Sequence, residues 1–349
     1  MGFRWTIALV AIALLAPASA AGSTATINGS TLFVKGAPGE KNVITVGYAT
    51  PLGQPTLVVG DVPGPTAGAG CSDFAQTAIC SAAGITLIQI EARDGNDTIL
   101  IDDPIPTIPT RIYAGSGNDE IRGSRGNDWI DGGSGADSIV GLAGFDTAAY
   151  RDRTTPVTIK LGGSRDSGNG DDGAVGARDT ISGDVENARG GAGADRIFGT
   201  SAGNRLIGGI GSDLIRGGRG NDLIRGRIDA DTVYGGAGRD TIFGGHGSDF
   251  LRGGNGRDSE RGGLGADRVR GGPGPDRLFG GPGNDHINGL QGNDIIRGGF
   301  GSDGLLGQTG LDRIFAKDGH FELKINCGPG NNRRESAVRD RRDPKAVSC

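Results

Sequence analysis

The sequence has few of the residues that build ordinary globular cores and many enzyme sites. Its 349 residues include 1 Met, 2 Trp, 4 Tyr and 3 His, and aromatic residues make up 5% of the chain. The scattered His246, His286 and His320 form no HExxH motif, which excludes a zinc protease of that type. Cysteine is also scarce, with 4 residues and no CxxC pair, so zinc and thiol redox chemistry have little support.

Long apolar runs are absent after the N-terminus. Arg4 is followed by an apolar run from Trp5 to Ala16 and then by Ala18-Ser19-Ala20. This layout is typical of a secretory signal with a small-residue cleavage site. A membrane anchor is the alternative, but it needs nearer ~20 apolar residues. We therefore expect residues 1–20 to be a signal peptide and the mature chain to be secreted without a membrane span.

The four cysteines form two couples that are distant in sequence, Cys71 with Cys80 and Cys327 with Cys349. An even number of cysteines in an exported chain fits disulfides, although free thiols are the alternative. Three connectivities are possible. Pairing within each couple is favoured because a long segment separates the couples. Each disulfide would then close a short loop at one end of that segment.

Glycine is what the sequence has in excess, and its placement is periodic. The chain contains 70 glycines, roughly three times the usual share of ~7%. They do not recur at every third residue, which excludes collagen, and the phased Ile, Leu and Val residues between them disfavour simple disorder. Residues 190–315 divide without a gap into 14 blocks of nine, and residues 114–149 give four more.

Each block follows the pattern GGxGxDxUx, in which U is a large aliphatic residue, as in the block from Gly208 to Arg216. Glycines at the first, second and fourth positions allow backbone angles that a β-carbon forbids, so six residues of turn and three of strand are predicted. Side chains alternate along a strand, so the eighth residue would face inward and its neighbours outward. The pattern predicts an all-β fold, a right-handed parallel β-roll or β-solenoid with two blocks in each coil.

Carboxylates recur at the sixth position, which is Asp in 17 of the 18 blocks. Coils stack about 4.8 Å apart, so Asp residues two blocks apart would lie above one another and repel. Ca²⁺ takes several oxygen ligands at about 2.3–2.6 Å, and these turns offer Asp oxygens together with exposed carbonyls. The Asp residues at the sixth position are Asp119, Asp128, Asp137, Asp146, Asp195, Asp213, Asp222, Asp231, Asp240, Asp249, Asp258, Asp267, Asp276, Asp285, Asp294, Asp303 and Asp312.

The blocks resemble the RTX nonapeptide repeats of calcium-binding β-rolls over about half of the chain. The whole layout is similar to secreted, hemolysin-type RTX proteins that consist of repeats with small flanking caps. The resemblance implies calcium ligands in the turns and gives that role to the same Asp residues. Three blocks depart from the pattern: Asn204 lacks the charge, Asp229 replaces the fourth glycine, and Glu260 takes an inward aliphatic position. We expect local irregularity there, because an unpaired buried carboxylate is costly.

The second array is formally neutral before any metal binds, with 15 acidic residues and 15 arginines between residues 190 and 315. Seventh- and ninth-position arginines, such as Arg216, Arg225, Arg268 and Arg297, would either shield the Asp rows or keep the outer faces soluble. With calcium bound, the array would become strongly positive. We therefore expect attraction to acidic cell-surface polymers and no specific nucleic-acid partner.

The remaining segments are expected to flank and interrupt the arrays. Residues 21–103 predict an N-terminal β cap, although the segment that includes Asp97 resembles a degenerate repeat where the roll would begin. The predicted order continues with a first array at 104–149, a β excursion at 150–189, the second array at 190–315 and a disulfide-closed cap at 316–349.

Four acidic residues of the excursion, Asp171, Asp172, Asp179 and Glu186, are a possible extra cation site. Solvated loop carboxylates are the commoner case, and we favour that interpretation. A GxSxG pattern at Gly199–Gly203 matches hydrolase nucleophile elbows, but it falls in phase inside a block and lacks the strand-turn-helix context. No catalytic residues are predicted.

The leading hypothesis is a secreted structural or surface-binding module that binds several calcium ions and folds with them. Few aliphatic residues are buried for each residue that must be ordered, so bound calcium is expected to supply much of the folding free energy. The alternative is a calcium-independent extracellular adhesin or wall-associated scaffold whose roll folds without metal.

Overall fold

The computed structural model describes residues 23–49, 54–61, 64–74, 76–102, 107–163, 165–172, 178–316, 324–326 and 336–339. The expected signal peptide and the couple Cys327 and Cys349 lie outside these residues. Within them, no helix is long and apolar enough to cross a membrane. The regular elements are a short 3₁₀ turn at Gly170–Asp172 and these strands: β1 (Thr24–Asn28), β2 (Thr31–Lys35), β3 (Val43–Ala49), β4 (Thr56–Gly60), β5 (Thr66–Ala67), β6 (Cys71–Phe74), β7 (Thr77–Ser81), β8 (Leu87–Asp94), β9 (Thr98–Ile101), β10 (Thr110–Ser116), β11 (Glu120–Arg122), β12 (Trp129–Ser134), β13 (Ser138–Val140), β14 (Thr147–Ala149), β15 (Thr158–Lys160), β16 (Arg165–Ser167), β17 (Asp179–Ile181), β18 (Asn187–Arg189), β19 (Arg196–Phe198), β20 (Arg205–Ile210), β21 (Leu214–Arg219), β22 (Leu223–Ile228), β23 (Thr232–Gly238), β24 (Thr241–His246), β25 (Phe250–Gly256), β26 (Ser259–Leu264), β27 (Arg268–Pro273), β28 (Arg277–Pro282), β29 (His286–Gln291), β30 (Ile295–Phe300), β31 (Gly304–Thr309), β32 (Arg313–Ala316), β33 (Lys324–Asn326) and β34 (Ser336–Arg339).

These strands form three sheets that wrap one narrow core. Sheet A has 16 strands in the order β34-β32-β30-β28-β26-β24-β22-β20-β18-β14-β12-β10-β8-β2-β1-β5. Sheet B (β16-β17-β13-β11-β9-β3-β4-β7-β6) and sheet C (β15-β19-β21-β23-β25-β27-β29-β31-β33) have nine strands each. From β8 to β14 the chain alternates between sheets A and B, and from β18 onward between sheets A and C. The result is a β-solenoid of about 12 parallel turns, which confirms the all-β roll.

Adjacent strands pair in parallel with a shift of 18 residues, which confirms that two blocks make one coil. Leu206 pairs with Ile224, which in turn pairs with Ile242. These eighth-position side chains are fully buried, while the seventh and ninth residues of the same strands are more exposed. The inward aliphatic rows form one core cluster that runs from Ala25 to Ile314.

The predicted division into six turn residues and three strand residues holds for β19 but is wrong for most other blocks of the second array. Strands β21 and β22, for example, have six residues each, running from the seventh position of one block to the third position of the next. The ladder continues through the glycines that open the next block, because the second-position glycines Gly218 and Gly236 pair in register. The tight part of each turn is therefore confined to about three residues.

The three glycines of a block are required for two different reasons. Gly209 and Gly211, at the second and fourth positions, have φ of 146° and 109°, a region that L side chains rarely adopt. Gly208, at the first position, has no positive φ, but a β-carbon there would lie 2.1 Å from Oδ2 of Asp213. The first glycine therefore leaves room for the carboxylate that follows five residues later.

The N-terminal segment joins the solenoid through two parallel pairings, β2 with β8 and β3 with β9. Strands β3, β4, β7 and β6 form an antiparallel extension of sheet B, in which Cys71 and Cys80 are disulfide-bonded. This bond confirms the local pairing predicted for the first couple. In the interrupted region, β15 joins sheet C beside β19, and β17 joins sheet B beside β13.

The expected irregularity at the three departing blocks is largely absent. Glu260 pairs in register with Ile242 on one side and Leu278 on the other, and the strand after Asn204 keeps its register. Asp229 has φ of 76°, so a non-glycine residue takes the left-handed conformation of the fourth position. Repeated pairing on both sides holds these coils in register despite their unusual side chains.

Candidate metal centre

All the sixth-position Asp side chains lie under the turns and are nearly inaccessible, each with at most 3% exposure. They form two rows, one along each edge of the roll. The A row precedes the strands of sheet A, and the BC row precedes the strands of sheets B and C. In the second array, the A row is Asn204, Asp222, Asp240, Asp258, Asp276, Asp294 and Asp312, and the BC row is Asp195, Asp213, Asp231, Asp249, Asp267, Asp285 and Asp303.

One carboxylate oxygen of each row member holds the coils together. The backbone N–H of Asp213 donates to Oδ1 of Asp231 at 2.8 Å, and that of Asp222 donates to Oδ1 of Asp240 at 2.9 Å. The same bond recurs at intervals of 18 residues along both rows. Each row is thus a ladder in which one turn donates to the carboxylate of the next coil, except at Asn204, whose Oδ1 accepts from the Thr200 N–H of its own turn and whose Nδ2 donates to the Glu186 carbonyl.

The other carboxylate oxygen is buried without a hydrogen-bond partner along most of both rows. In the described part of the chain this holds for Oδ2 of Asp119, Asp137, Asp146, Asp213, Asp222, Asp231, Asp240, Asp249, Asp258, Asp267, Asp276, Asp285, Asp294 and Asp312. Asp128 and Asp195 differ, because their Oδ2 atoms accept from the backbone N–H groups of Ser124 and Gly191. A buried carboxylate oxygen without a partner is costly, so these atoms call for a cation or a proton.

A hard cation is the group that these atoms fit best. The donors are carboxylate oxygens together with main-chain carbonyls, which are the ligands that Ca²⁺ prefers. Gly220, at a fourth position, has its carbonyl oxygen close to Gly238 of the next coil. A β-carbon added to Gly238 would lie only 1.8 Å from that oxygen. No three His, Cys, Asp or Glu side chains of the described residues gather at one metal position. Any calcium ion held by the row Asp residues would therefore need backbone carbonyls of the turns among its ligands.

Comparison with known families agrees with this geometry. The family model for the RTX calcium-binding nonapeptide repeat (4 copies) matches residues 113–148, 189–224, 225–260, 261–296 and 289–320. The chain belongs to the RTX repeat family. A search of curated proteins found no match. Because RTX repeats bind calcium, the family supports a calcium-binding β-roll with multiple sites.

Burial raises the pKa of the carboxyl groups in the RTX rows. Desolvation is the largest cause at Asp231 and Asp276, and neighbouring row carboxylates add to it, so that the pKa of each reaches about 8. The pKa of Asp119 and of Asp258 rises to about 6 for the same main reason. Backbone hydrogen bonds to Oδ1 oppose these shifts but do not cancel them. Near pH 7 the metal-free rows therefore favour the protonated form at Asp231 and Asp276, whereas Asp119 and Asp258 favour the ionised form.

The arginines of the RTX arrays lie on the outer faces. Arg216 stacks between Phe198 and Tyr234, with its guanidinium carbon 5.9 and 5.5 Å from the two ring centroids. Arg225 and Arg297 stack in the same way on Phe residues of sheet A, and Arg268 is exposed. This arrangement favours the soluble outer face over the shielding of the buried rows.

The rows contain acids that the nine-residue phase did not identify as ligands. The Asp97 carboxylate accepts from the backbone of Asn42, and the Asp97 backbone N–H donates to Asp119, so the BC row extends toward the N-terminus. Asp179 continues the BC row beyond Asp137, and Glu186 continues the A row beyond Asp146. Each precedes its inward residue by two positions, the spacing of the sixth and eighth positions. This acid-x-aliphatic spacing was the available signal.

The four acids of the excursion do not form one site. Asp172 is buried in an ion pair with Arg153, whereas Asp171 is exposed. Asp179 is buried in the BC row, and its Oδ2 accepts from the Tyr150 hydroxyl at 2.7 Å. The interpretation as solvated loop carboxylates is therefore wrong for Asp172 and Asp179. Ser201, in the GxSxG pattern, is exposed in a turn between β19 and β20.

Proposed function

We propose that this chain is a secreted RTX protein whose roll binds calcium between its Asp-bearing turns and folds as it does so. The observation that carries the proposal is the series of buried Oδ2 atoms without partners along both rows. The N-terminal sequence supports secretion, because residues 1–20 have the layout of a signal peptide. The ligands are the 17 sixth-position Asp residues, with turn carbonyls completing each site.

Coupling between folding and calcium follows from the cost of the rows. When the roll forms at neutral pH, its carboxylates leave water and come to lie above one another. Oδ1 gains a backbone hydrogen bond, but Oδ2 gains nothing in return. Calcium between the turns neutralises both carboxylates at once, and its binding free energy then becomes folding free energy.

A calcium-independent scaffold is the competing function. The Oδ1 ladder, the aliphatic core and the parallel strands all exist without metal ligands, and they would persist in such a protein. Metal analysis after exhaustive dialysis against a chelator, followed by a spectroscopic check of the fold, separates the two. A folded and metal-free protein supports the scaffold.

Calcium titration calorimetry of the mature chain tests the proposed sites. We expect several ions for each chain and fewer ions for Asp240→Asn, which lies in the middle of the A row. Asn204 shows that Asn fits a row position and still donates to the next Asp, so this variant should fold. The matched control is Asp229→Asn, which removes a charge from an exposed turn. Absence of calcium binding by the parent protein would contradict the proposal.

Attraction to an acidic polysaccharide is a second candidate function, and the outer face of sheet A favours it. Its ninth positions alternate in register as Arg225, Phe243, Arg261, Phe279, Arg297 and Phe315. A groove of about 720 Å³ on the same sheet is lined by residues that include Arg111, Trp129 and Arg205. Arginines would pair with acidic groups, and aromatic rings would pack against sugar rings.

Retention on a heparin column tests this second function. We expect stronger retention with calcium than in chelator, because calcium would cancel the negative charge of the rows. The triple variant R225S/R261S/R297S should elute at lower salt than R252S/R268S/R270S, which removes equal charge from sheet C. Equal elution of the two triple variants, or retention that calcium does not change, would contradict the role of sheet A.

A further inference from the structure

Glu260 stands at an eighth position, where the other blocks of the second array carry aliphatic residues. Its side chain is fully buried between Ile242 and Leu278 of the neighbouring coils. Neither Oε1 nor Oε2 makes a hydrogen bond of normal geometry, and the backbone N–H of Gly253 only weakly opposes the rise in the Glu260 pKa. A charged group in this position is among the most costly a core can contain, so some interaction should compensate for it.

The carboxylate of Glu260 reaches the A row. Its Oε1 lies 2.2 Å from the point that a β-carbon on Gly253 would take, and Oδ2 of Asp258 lies 2.5 Å from the same point. In the regular blocks that begin at Gly235 and Gly244, the corresponding place beside the Asp oxygen is held by a backbone carbonyl oxygen of the next coil. Glu260 thus brings a second carboxylate oxygen to a turn that elsewhere offers a carbonyl.

The surroundings of Glu260 are acidic rather than basic. Burial, and then the charges of Asp276 and Asp258, raise the pKa of Glu260 well above its usual value. Asp276 is the next member of the A row and accepts from the backbone of Asp258. Its own Oδ2 is buried without a partner, as is that of Asp258. Glu260 and Asp258 therefore place two carboxylate oxygens beside Gly253, and Asp276 is the next member of the same row.

We propose that Glu260 is an additional, inward calcium ligand that makes the turn at Asp258 and Asp276 the tightest site of the roll. The inference rests on the proposed calcium function and adds to it a site in which Glu260 supplies a carboxylate oxygen beside that of Asp258. Calcium affinity rises with the number of charged ligands, so this site should fill first. The block would then hold a nucleating ion from which the neighbouring coils order.

Calcium titration of the full chain with Glu260→Leu tests the proposal. Leucine matches Leu278 in the next coil and restores the block pattern, so the variant should fold at least as well as the parent. We expect the tightest site to weaken by about tenfold or more, while the remaining sites keep their affinities. In chelator, Glu260→Leu should show at least as much β-sheet signal as the parent, because an uncompensated buried carboxylate is removed.

Two further variants make the result specific. Glu260→Gln keeps the shape and removes the charge, so it should also lose the tightest site. Glu120→Gln removes an exposed carboxylate from the first array and should bind as the parent does. If both Glu260 variants bind calcium with the parent's stoichiometry and affinities, the inference is overturned while the proposed function stands. If the parent itself binds no calcium, both fail.

Discussion

At the scale of the residue, the two oxygens of each row Asp have different roles. Oδ1 accepts a backbone N–H from the preceding coil and fixes the stacking, while Oδ2 is buried without a protein partner. Asn204 supplies neither role: its Oδ1 accepts from the Thr200 backbone N–H within its own turn, and its Nδ2 donates to the Glu186 carbonyl of the preceding coil. Its backbone N–H still donates to Asp222, so the stacking onto the next coil is kept. The recurrence of Asp at the other row positions therefore fits a role for both carboxylate oxygens.

The raised pKa values predict opposite effects of pH on the metal-free and calcium-bound protein. The pKa is about 7 for Asp213 and Asp222 and about 8 for Asp231, against about 3.9 in an unfolded chain. The folded rows bind more protons than the unfolded chain. In chelator, their stabilising contribution should therefore be complete below about pH 4 and lost as pH rises through 7 and 8.

Protons and calcium compete for the same oxygens, so calcium affinity should fall as pH is lowered from 8 to 6. Far-UV circular dichroism in chelator at pH 5 and pH 8, with calcium titrations at pH 6 and pH 8, measures both effects. A protein with more β-sheet signal at pH 8 than at pH 5 in chelator would contradict the assignment of unpaired carboxyl groups to the rows.

At the scale of the element, each block is a strand followed by a turn. The turn can pack closely against the neighbouring coil only because its glycines have no β-carbon. Gly208 makes room for Oδ2 of Asp213, and Gly209 and Gly211 pass under carbonyl oxygens of the preceding coil. The first glycine is therefore part of the candidate calcium site as well as of the fold.

Gly208→Ala tests this role of the first glycine. The added methyl group would meet Oδ2 of Asp213 at 2.1 Å, so we expect a loss of about 1–3 kcal/mol in the free energy of unfolding and weaker calcium binding nearby. Gly170→Ala is the control, because nothing lies within 4 Å of the position that its added methyl group would take. Calcium-dependent melting curves measure the difference, and equal curves for both variants would argue against the steric role.

The sequence predicted the repeating coil well, but it predicted the ends of the strands and the row members outside the phased blocks less well. The glycine phase and the aliphatic eighth position were enough to predict the parallel coil of 18 residues and the inward rows. The longer strands were missed because the glycines that permit a turn also pair across coils, as Gly218 does with Gly236. Asp179 and Glu186 were missed as row members because the chain leaves the nine-residue phase before it returns to the rows.

At the scale of the whole molecule, one inward core and two acidic rows run along the described stack. Sheet A continues from the N-terminal strands to β34. The sheet on the opposite side of the solenoid changes from sheet B to sheet C at the excursion. The Cys71–Cys80 disulfide fastens the antiparallel extension of sheet B near the N-terminal end. Since every coil contacts mainly its neighbours, loss of calcium from the rows should affect the whole stack rather than one local site.

Far-UV circular dichroism of the mature chain, recorded at about pH 7.5 during heating in excess calcium and in excess chelator, tests the central claim most directly. If calcium between the buried Asp rows orders the roll, the calcium-loaded protein should show a cooperative β-sheet transition. In chelator it should show a largely disordered spectrum that calcium restores. The same β-sheet spectrum and the same melting temperature under both conditions would contradict the account.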